Sequence, residues 1–177
     1  MMAVYRSVDL AYLKLAWIVT LCMVLCCFMK PVNAATATAT VTANIVITMS
    51  LTTQSNIAFG DVSAGSTSGT VILSTQGNRT STGGTTINSG QSGSQAEFSA
   101  TGEPGAVFSV SKPASIQLTS ASNNTMVVDN FISEPDNGGQ LDASGNKTVL
   151  VGATLHVSSH QAFGSYTGLM VLNVDYN

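Results

Sequence analysis

Hydrophobic and polar residues alternate along two segments of this 177-residue chain. From Ala35 to Leu51 the odd positions carry Ala, Val, Ile, Met and Leu, and the even positions carry Thr, Asn and Ser, with Val46 as the exception. From Gly164 to Asn177 apolar residues again occupy alternate positions, at Tyr166, Met170, Leu172, Val174 and Tyr176, with Leu169 and Val171 as exceptions. A period of two residues predicts β-strands that each have one apolar face.

The intervening residues also favour strands, because short apolar runs are bounded by Gly, Ser, Asn or Pro and none has helical periodicity. We predict strands at Ile45–Leu51, Asn56–Asp61, Gly69–Ser74, Ala96–Thr101, Ala106–Ser111, Ser115–Thr119, Thr125–Phe131, Thr148–Val157 and Tyr166–Tyr176. The polar segment Thr75–Ser94 is predicted to be a loop or a loosely paired hairpin, and Glu134–Gly139 a turn-rich loop. The fold class is all-β, a sandwich of about 7–9 strands.

Residues 1–34 have the pattern of a secretory signal peptide. Arg6 and Lys14 form a basic region, an apolar core follows at residues 15–29, and Val32-Asn33-Ala34 places small residues at a cleavage site after Ala34. The alternative is an uncleaved anchor, but this core is shorter than the roughly 20 residues that span a bilayer. We therefore expect an exported chain with no stable membrane insertion.

Removal of residues 1–34 takes away all three cysteines, Cys22, Cys26 and Cys27. The remaining chain can form no disulfide and offers no thiolate to a metal or to catalysis. Three basic and eight acidic residues remain, so the formal charge is −5. An acidic chain without a basic cluster repels phosphate backbones and anionic lipid, which disfavours nucleic acid and membrane surfaces as partners.

The sequence contains few residues that could act in catalysis or bind a cofactor. His156 and His160 are the two histidines of the chain, and in an extended strand their side chains lie roughly 13 Å apart. No carboxylate is close to them in sequence to complete a metal site or a catalytic triad. We expect no catalytic residue, no cofactor and no metal.

The end of the chain resembles a known family. Gly164 is the fourteenth residue from the end and Tyr176 is penultimate, with alternating hydrophobic residues between them. This arrangement resembles subunits assembled by the bacterial chaperone–usher route. Val151-Gly-Ala-Thr-Leu-His-Val157, followed by Gly164-Ser-Tyr-Thr-Gly168, is also similar to a wider group of secreted bacterial sandwich domains without an assigned function.

The pilin resemblance implies an immunoglobulin-like sandwich that lacks its last strand, and assembly by donor-strand exchange. A periplasmic chaperone would cover the gap, an outer-membrane usher would receive the complex, and the N-terminal extension of the next subunit would fill the gap. The implied C-terminal assembly strand contains Gly164, Tyr166, Gly168, Met170, Leu172, Val174 and Tyr176. The implied donor residues are Ala37, Ala39, Val41, Ala43 and Ile45. Two departures from the family are the missing disulfide and the absence of a donor glycine.

The expected organisation is a signal peptide at 1–34, an N-terminal extension at 35–44 and a β-sandwich domain at 45–177. The expected function is a structural subunit of a surface fibre (a pilus or fimbria) that contributes to adhesion or biofilm formation, passing through the periplasm to the cell surface. Two alternatives stay open. The N-terminal segment could belong to the sheet of its own chain, and the protein could be a self-contained module that binds a surface glycan or a protein.

Overall fold

The computed structural model describes residues 17–20 and 34–177. The chain divides into two units, residues 1–43 and Asn44–Asn177. In the first unit residues 17–20 are helical, and residues 34–43 are exposed and belong to no helix or strand. Apart from residues 17–20 and Ala34, the predicted signal peptide lies outside the described residues.

The second unit is built from β-strands joined in two antiparallel sheets, which confirms the predicted all-β sandwich. The strands are β1 (Ser50–Ser55), β2 (Val62–Leu73), β3 (Arg79–Ile87), β4 (Ala96–Thr101), β5 (Val107–Ser111), β6 (Ser115–Ser120), β7 (Thr125–Glu134), β8 (Gly138–Gln140), β9 (Asn146–Val157), β10 (Tyr166–Thr167) and β11 (Asn173–Tyr176). These eleven strands exceed the predicted 7–9, partly because β8 and β10 have only three and two residues.

The larger sheet has the order β1-β4-β9-β7-β6-β10. Two strands share one edge of β9, since β4 pairs with residues 146–151 and β2 with residues 153–157. Gly152 lies between these two ladders, and a Cβ there would collide with the carbonyl oxygen of Leu73. Glycine therefore allows β2 to pack closely against β9 at this point. β3 pairs with β2.

Alternating side chains of the larger sheet form its inner, apolar face. Along β4 every second residue is buried. β7 has the same alternation, but its ladder with β9 shifts register between Asp129 and Ile132. Asn130 occupies the left-handed region there, with φ of 47°. This bulge changes the inward positions from even to odd, so Val128 and Phe131 both face the core.

The smaller sheet has the order β11-β5-β8 and covers part of that inner face. Phe108 and Val110 of β5 are buried, as is Leu141 just after β8. They belong to one hydrophobic core with Val149 and Val151 of β9. Burial of these side chains is the main stabilising contribution available to a described domain that contains no cysteine.

The first strand differs from the prediction, because it begins at Ser50 and not at Ile45. Ser50 pairs with Thr101, which is the last residue of β4. Residues 45–49 therefore extend past the end of the neighbouring strand, and Ile45 and Ile47 remain exposed.

Three internal predictions also need correction. Asn56–Asp61 is not a strand, and Ala58 forms only an isolated bridge to Ser94. Within Thr75–Ser94 the hairpin alternative is right and the loop is wrong, since β3 pairs with β2. Its many threonines favour strand geometry even though most are exposed. The predicted loop Glu134–Gly139 contains the start of β8, which pairs with β5.

The C-terminal segment is not one strand. β10 pairs with β6 in the larger sheet, and β11 pairs with β5 in the smaller sheet. Residues 168–172 connect them and belong to neither sheet. The alternating pattern was correct about which side chains face inward, but the segment passes from one sheet to the other.

Candidate functional site

A cleft of about 960 Å³ opens onto the inner face of the larger sheet. Its floor consists of apolar side chains from β4, β6, β7 and β9, namely Phe98, Leu118, Met126, Val128, Leu155 and Val157. Two chain segments form its sides, residues 53–64 and residues 161–170. Of the described residues that line it, Asp61 alone carries a formal charge. The cleft is therefore suited to an apolar occupant.

The two sides of the cleft begin at opposite edges of the larger sheet. Residues 53–64 continue from β1 and residues 161–170 include β10, and these are the terminal strands in the order of the sheet. Ile57, Phe59 and Met170 pack partly against the core from these sides. Because the sides do not cover the floor completely, half-buried apolar side chains such as Leu118 remain accessible to solvent.

Polar contacts hold the side formed by residues 53–64. The Arg79 guanidinium Nη1 donates a hydrogen bond of 2.6 Å to the carbonyl oxygen of Phe59. The backbone amides of Ala58 and Ser94 donate to each other's carbonyl oxygens at 2.8 and 2.9 Å. Sequence analysis missed this role of Arg79, and no local pattern indicates it, since Phe59 is twenty positions away.

The opposite side is held by Tyr166. Its hydroxyl donates a hydrogen bond of 2.7 Å to the carbonyl oxygen of Ala162 and accepts one of 2.9 Å from Nε2 of Gln161. Gly168 lies close to the carbonyl oxygen of Gln117, where a Cβ would collide with it. Glycine thus lets this side approach β6 directly.

Within the described domain, the edge of β11 that faces away from β5 has no strand partner. β11 pairs with β5 on one side and ends the smaller sheet on the other. Residues 168–172, which precede it, are outside both ladders. Unpaired strand edges can accept a further strand through main-chain hydrogen bonds.

The predicted assembly residues divide into two groups. Gly164, Tyr166, Gly168 and Met170 line the cleft. Leu172 is buried in the core, and Val174 and Tyr176 pack against the core from β11 without lining the cleft. The structure therefore brings only the first half of the predicted segment to the cleft.

Tyr176 connects three separate segments of the second unit. Its hydroxyl accepts a hydrogen bond of 2.7 Å from the backbone amide of Glu103 and donates one of 2.9 Å to the carbonyl oxygen of Ile47. The resemblance placed Tyr176 in the implied assembly strand. The contacts show that Tyr176 ties β11 to the turn after β4 and to the residues before β1.

The predicted donor residues are all accessible. Ala37, Ala39, Val41, Ala43 and Ile45 are exposed and belong to no strand. The exposed fractions of Val41 and Ile45 are 92% and 95%. Large apolar side chains at this exposure gain free energy when another surface covers them.

Polar groups elsewhere form isolated contacts. His156 Nε2 lies 2.8 Å from Asp129 Oδ1, because β7 and β9 are neighbours, so a carboxylate distant in sequence does reach this histidine. His160 is exposed in the following turn. Among the residues that the structure describes, no group of three or more His, Cys, Asp or Glu is arranged to hold a metal ion.

Within the described ranges, no helix combines the length and hydropathy needed to cross a membrane.

Comparison with known proteins places the described domain in a family. No curated protein and no solved structure matches the chain. The family model of a domain of unknown function, DUF4402, matches residues 49–176, a range that contains every strand from β1 to β11 and the cleft. The chain therefore belongs to the DUF4402 family.

Proposed function

We propose that this protein is a structural subunit of a bacterial surface fibre, in which residues 35–45 of one copy fill the cleft of another. The fibre contributes to adhesion or biofilm formation. The resemblance to chaperone–usher subunits adds a periplasmic chaperone and an outer-membrane usher as partners during export. It also adds a route through the periplasm to the cell surface.

The observation that carries this proposal is the apolar cleft between residues 53–64 and residues 161–170. Its floor is the inner face of a sheet, and such a face is normally covered by a second layer of strands. Here the second layer is the short sheet β11-β5-β8. A further strand beside β11 would extend that layer over the floor of the cleft.

Strand addition supplies both affinity and register. Main-chain hydrogen bonds to the unpaired residues 168–172 would align the added strand, and every second side chain would enter the cleft. A strand with one apolar face meets this requirement. Residues 35–45 have that pattern, with Val41 and Ile45 as the largest side chains on the apolar face.

The donor composition predicts the strength of assembly. Burial of Val and Ile contributes about 1.5–3 kcal/mol for each side chain, and Ala contributes little. Burial of the five donor residues therefore contributes about 3–6 kcal/mol, nearly all of it from Val41 and Ile45, before the cost of ordering the segment. We expect multimers that persist at ambient temperature and dissociate on heating.

The test uses the exported protein, analysed in detergent with and without heating. Val41→Asp places a charge on the apolar face of the donor and should abolish the ladder of multimers. Thr40→Asp is the matched control, because it adds the same charge on the opposite face and should preserve the ladder.

A deletion of residues 35–44 separates the two functional hypotheses. It should leave a monomer if the segment is the donor. Multimers of equal heat stability in the deletion or in Val41→Asp would contradict donor-strand exchange. A wild-type protein that stays monomeric at all concentrations would favour the self-contained binding module.

A further inference from the structure

Two large apolar side chains are exposed on one side of the cleft. Phe163 is 100% exposed and Leu169 is 90% exposed, and both belong to the lining segment 161–170. Single exposed apolar residues are common on protein surfaces. These two differ because they extend an apolar cleft toward solvent, which is typical of a contact surface.

The exposure of Phe163 follows from the fold around it. Ala162 is fixed by the hydroxyl of Tyr166, and Gln161 contacts both that hydroxyl and the carbonyl oxygen of Thr125. Gly164 has φ of 149°, a conformation that other residues rarely adopt. Phe163 therefore lies between Ala162, which is held by a hydrogen bond, and Gly164, which has a positive φ.

We propose that Phe163 and Leu169 form a hydrophobic contact that closes on the inserted strand of a second copy. This inference rests on the proposed strand exchange, and its occupant is the segment 35–45 of that second copy. The apolar face of the donor would fill the floor of the cleft. Phe163 and Leu169 would pack along the edge of that strand, against the side chains of its apolar face that lie nearest the rim of the cleft.

The composition of the donor is the reason to expect a contribution from these two residues. Three of its five inward residues are Ala37, Ala39 and Ala43, which bury little area. Phe163 and Leu169 are the most exposed large apolar residues of the cleft lining. Their burial is therefore the largest gain that this side of the cleft can add to a weak donor.

The first experiment measures the dissociation rate of heated multimers. Phe163→Ser should speed dissociation by about tenfold, the factor that corresponds to losing part of the burial of one Phe. The unfolding midpoint of the monomer should not change, because the side chain is fully exposed there. Val107→Ser is the matched control, since Val107 is 50% exposed, does not line the cleft and lies outside residues 168–172.

The second experiment uses tryptophan fluorescence and does not depend on a loss of stability. Trp17 is the single tryptophan of the chain and lies in the predicted signal peptide, so Phe163→Trp gives the exported protein one reporter at the cleft. Its emission should move to shorter wavelength when multimers form and return on heating. Val127→Trp, a position outside the cleft lining, should show no shift.

The outcomes distinguish this inference from the proposed function. A blue shift and faster dissociation of Phe163→Ser multimers would support it. Multimers that form normally, with unchanged emission at Phe163→Trp and unchanged dissociation of Phe163→Ser, would overturn the contact and leave strand exchange standing. Absence of multimers in the wild-type protein would overturn both.

Discussion

The inner face of the larger sheet has a covered half and an open half. The covered half lies under β5, β8 and β11, where Phe108 and Leu141 are 1% and 2% exposed. The open half is the floor of the cleft, which the second sheet does not cover. Val128, Leu155 and Val157 are still only 1–4% exposed there, whereas Leu118 is half-buried.

The difference shows that an apolar face does not by itself produce a closed core. In the covered half a second sheet packs on the inner face, whereas in the open half only the flanking segments 53–64 and 161–170 approach it. Half-buried side chains such as Leu118 therefore keep some contact with water in the isolated subunit. Their remaining exposed area is available to stabilise a complex.

The largest expected effect on the free energy of unfolding comes from the same substitution at two leucines, one in each half of the inner face. Leu141→Ala removes a side chain from the covered half and should lower the free energy of unfolding of the monomer by about 2–5 kcal/mol. Leu118→Ala makes the same chemical change in the open half and should cost about 1 kcal/mol, because Leu118 is already partly in water. Urea unfolding of the monomeric proteins measures both values.

The same two substitutions also test whether the two halves differ in the way described. If the cleft is filled in multimers, the cost of Leu118→Ala should rise on assembly, and that of Leu141→Ala should stay constant. Equal costs for the two substitutions in the monomer would show that the open half is as well covered as the other.

A smaller effect is expected where β11 is attached to the covered half. Tyr176→Phe retains the ring but removes the hydrogen bonds to Glu103 and Ile47, so it should cost about 1–2 kcal/mol. Amide hydrogen exchange should become faster at Glu103. Tyr166→Phe, on the open side, is the control and should leave exchange at Glu103 unchanged. Unaltered exchange in Tyr176→Phe would contradict the described contact.

The smallest effect concerns the turn that leads into β9. Backbone amides of Asn146 and Ser144 donate to Asp142 Oδ1 at 2.9 and 2.8 Å and hold the pKa of Asp142 below its usual value. A lowered pKa in the folded state adds stability that is present above the unfolded pKa of about 3.9. That stability is lost as the pH falls through the folded pKa.

Asp142→Asn keeps an acceptor oxygen and removes this titration. The difference in urea midpoint between wild type and Asp142→Asn should be constant above about pH 5 and should shrink as the pH falls below about 4. A difference that stays constant through the acid range would show that the turn does not depend on the ionised carboxylate. The effect lies outside the cleft, so assembly should not change.

Sequence reasoning succeeded where local pattern decides the structure. Alternation identified the inward positions of the segment that contains Met170 and Leu172, and the strand predicted at Ala96–Thr101 has the bounds of β4. It failed at Ile45–Leu51 and at Asn56–Asp61, where the side chains alternate but no neighbouring strand is available along the full length. Strand pairing depends on residues far apart in the chain, so a local period cannot reveal it.

The candidate site shows the same division. The resemblance placed Gly164, Tyr166, Gly168 and Met170 in an assembly strand, and these residues line the cleft, while their role in assembly stays a prediction. Arg79, which holds Phe59, and the pairing of His156 with Asp129 were not predicted, because each contact joins residues distant in sequence. The exposed Phe163 has no distinguishing pattern in the sequence.

By itself the sequence determined that the chain is rich in strands and which side chains of those strands face inward, because a β-strand places successive side chains on opposite faces. Only the tertiary structure decided that the C-terminal segment passes between two sheets and that the second sheet covers only part of one inner face. Those features depend on how many strands each sheet gathers and where each strand ends, which long-range packing determines.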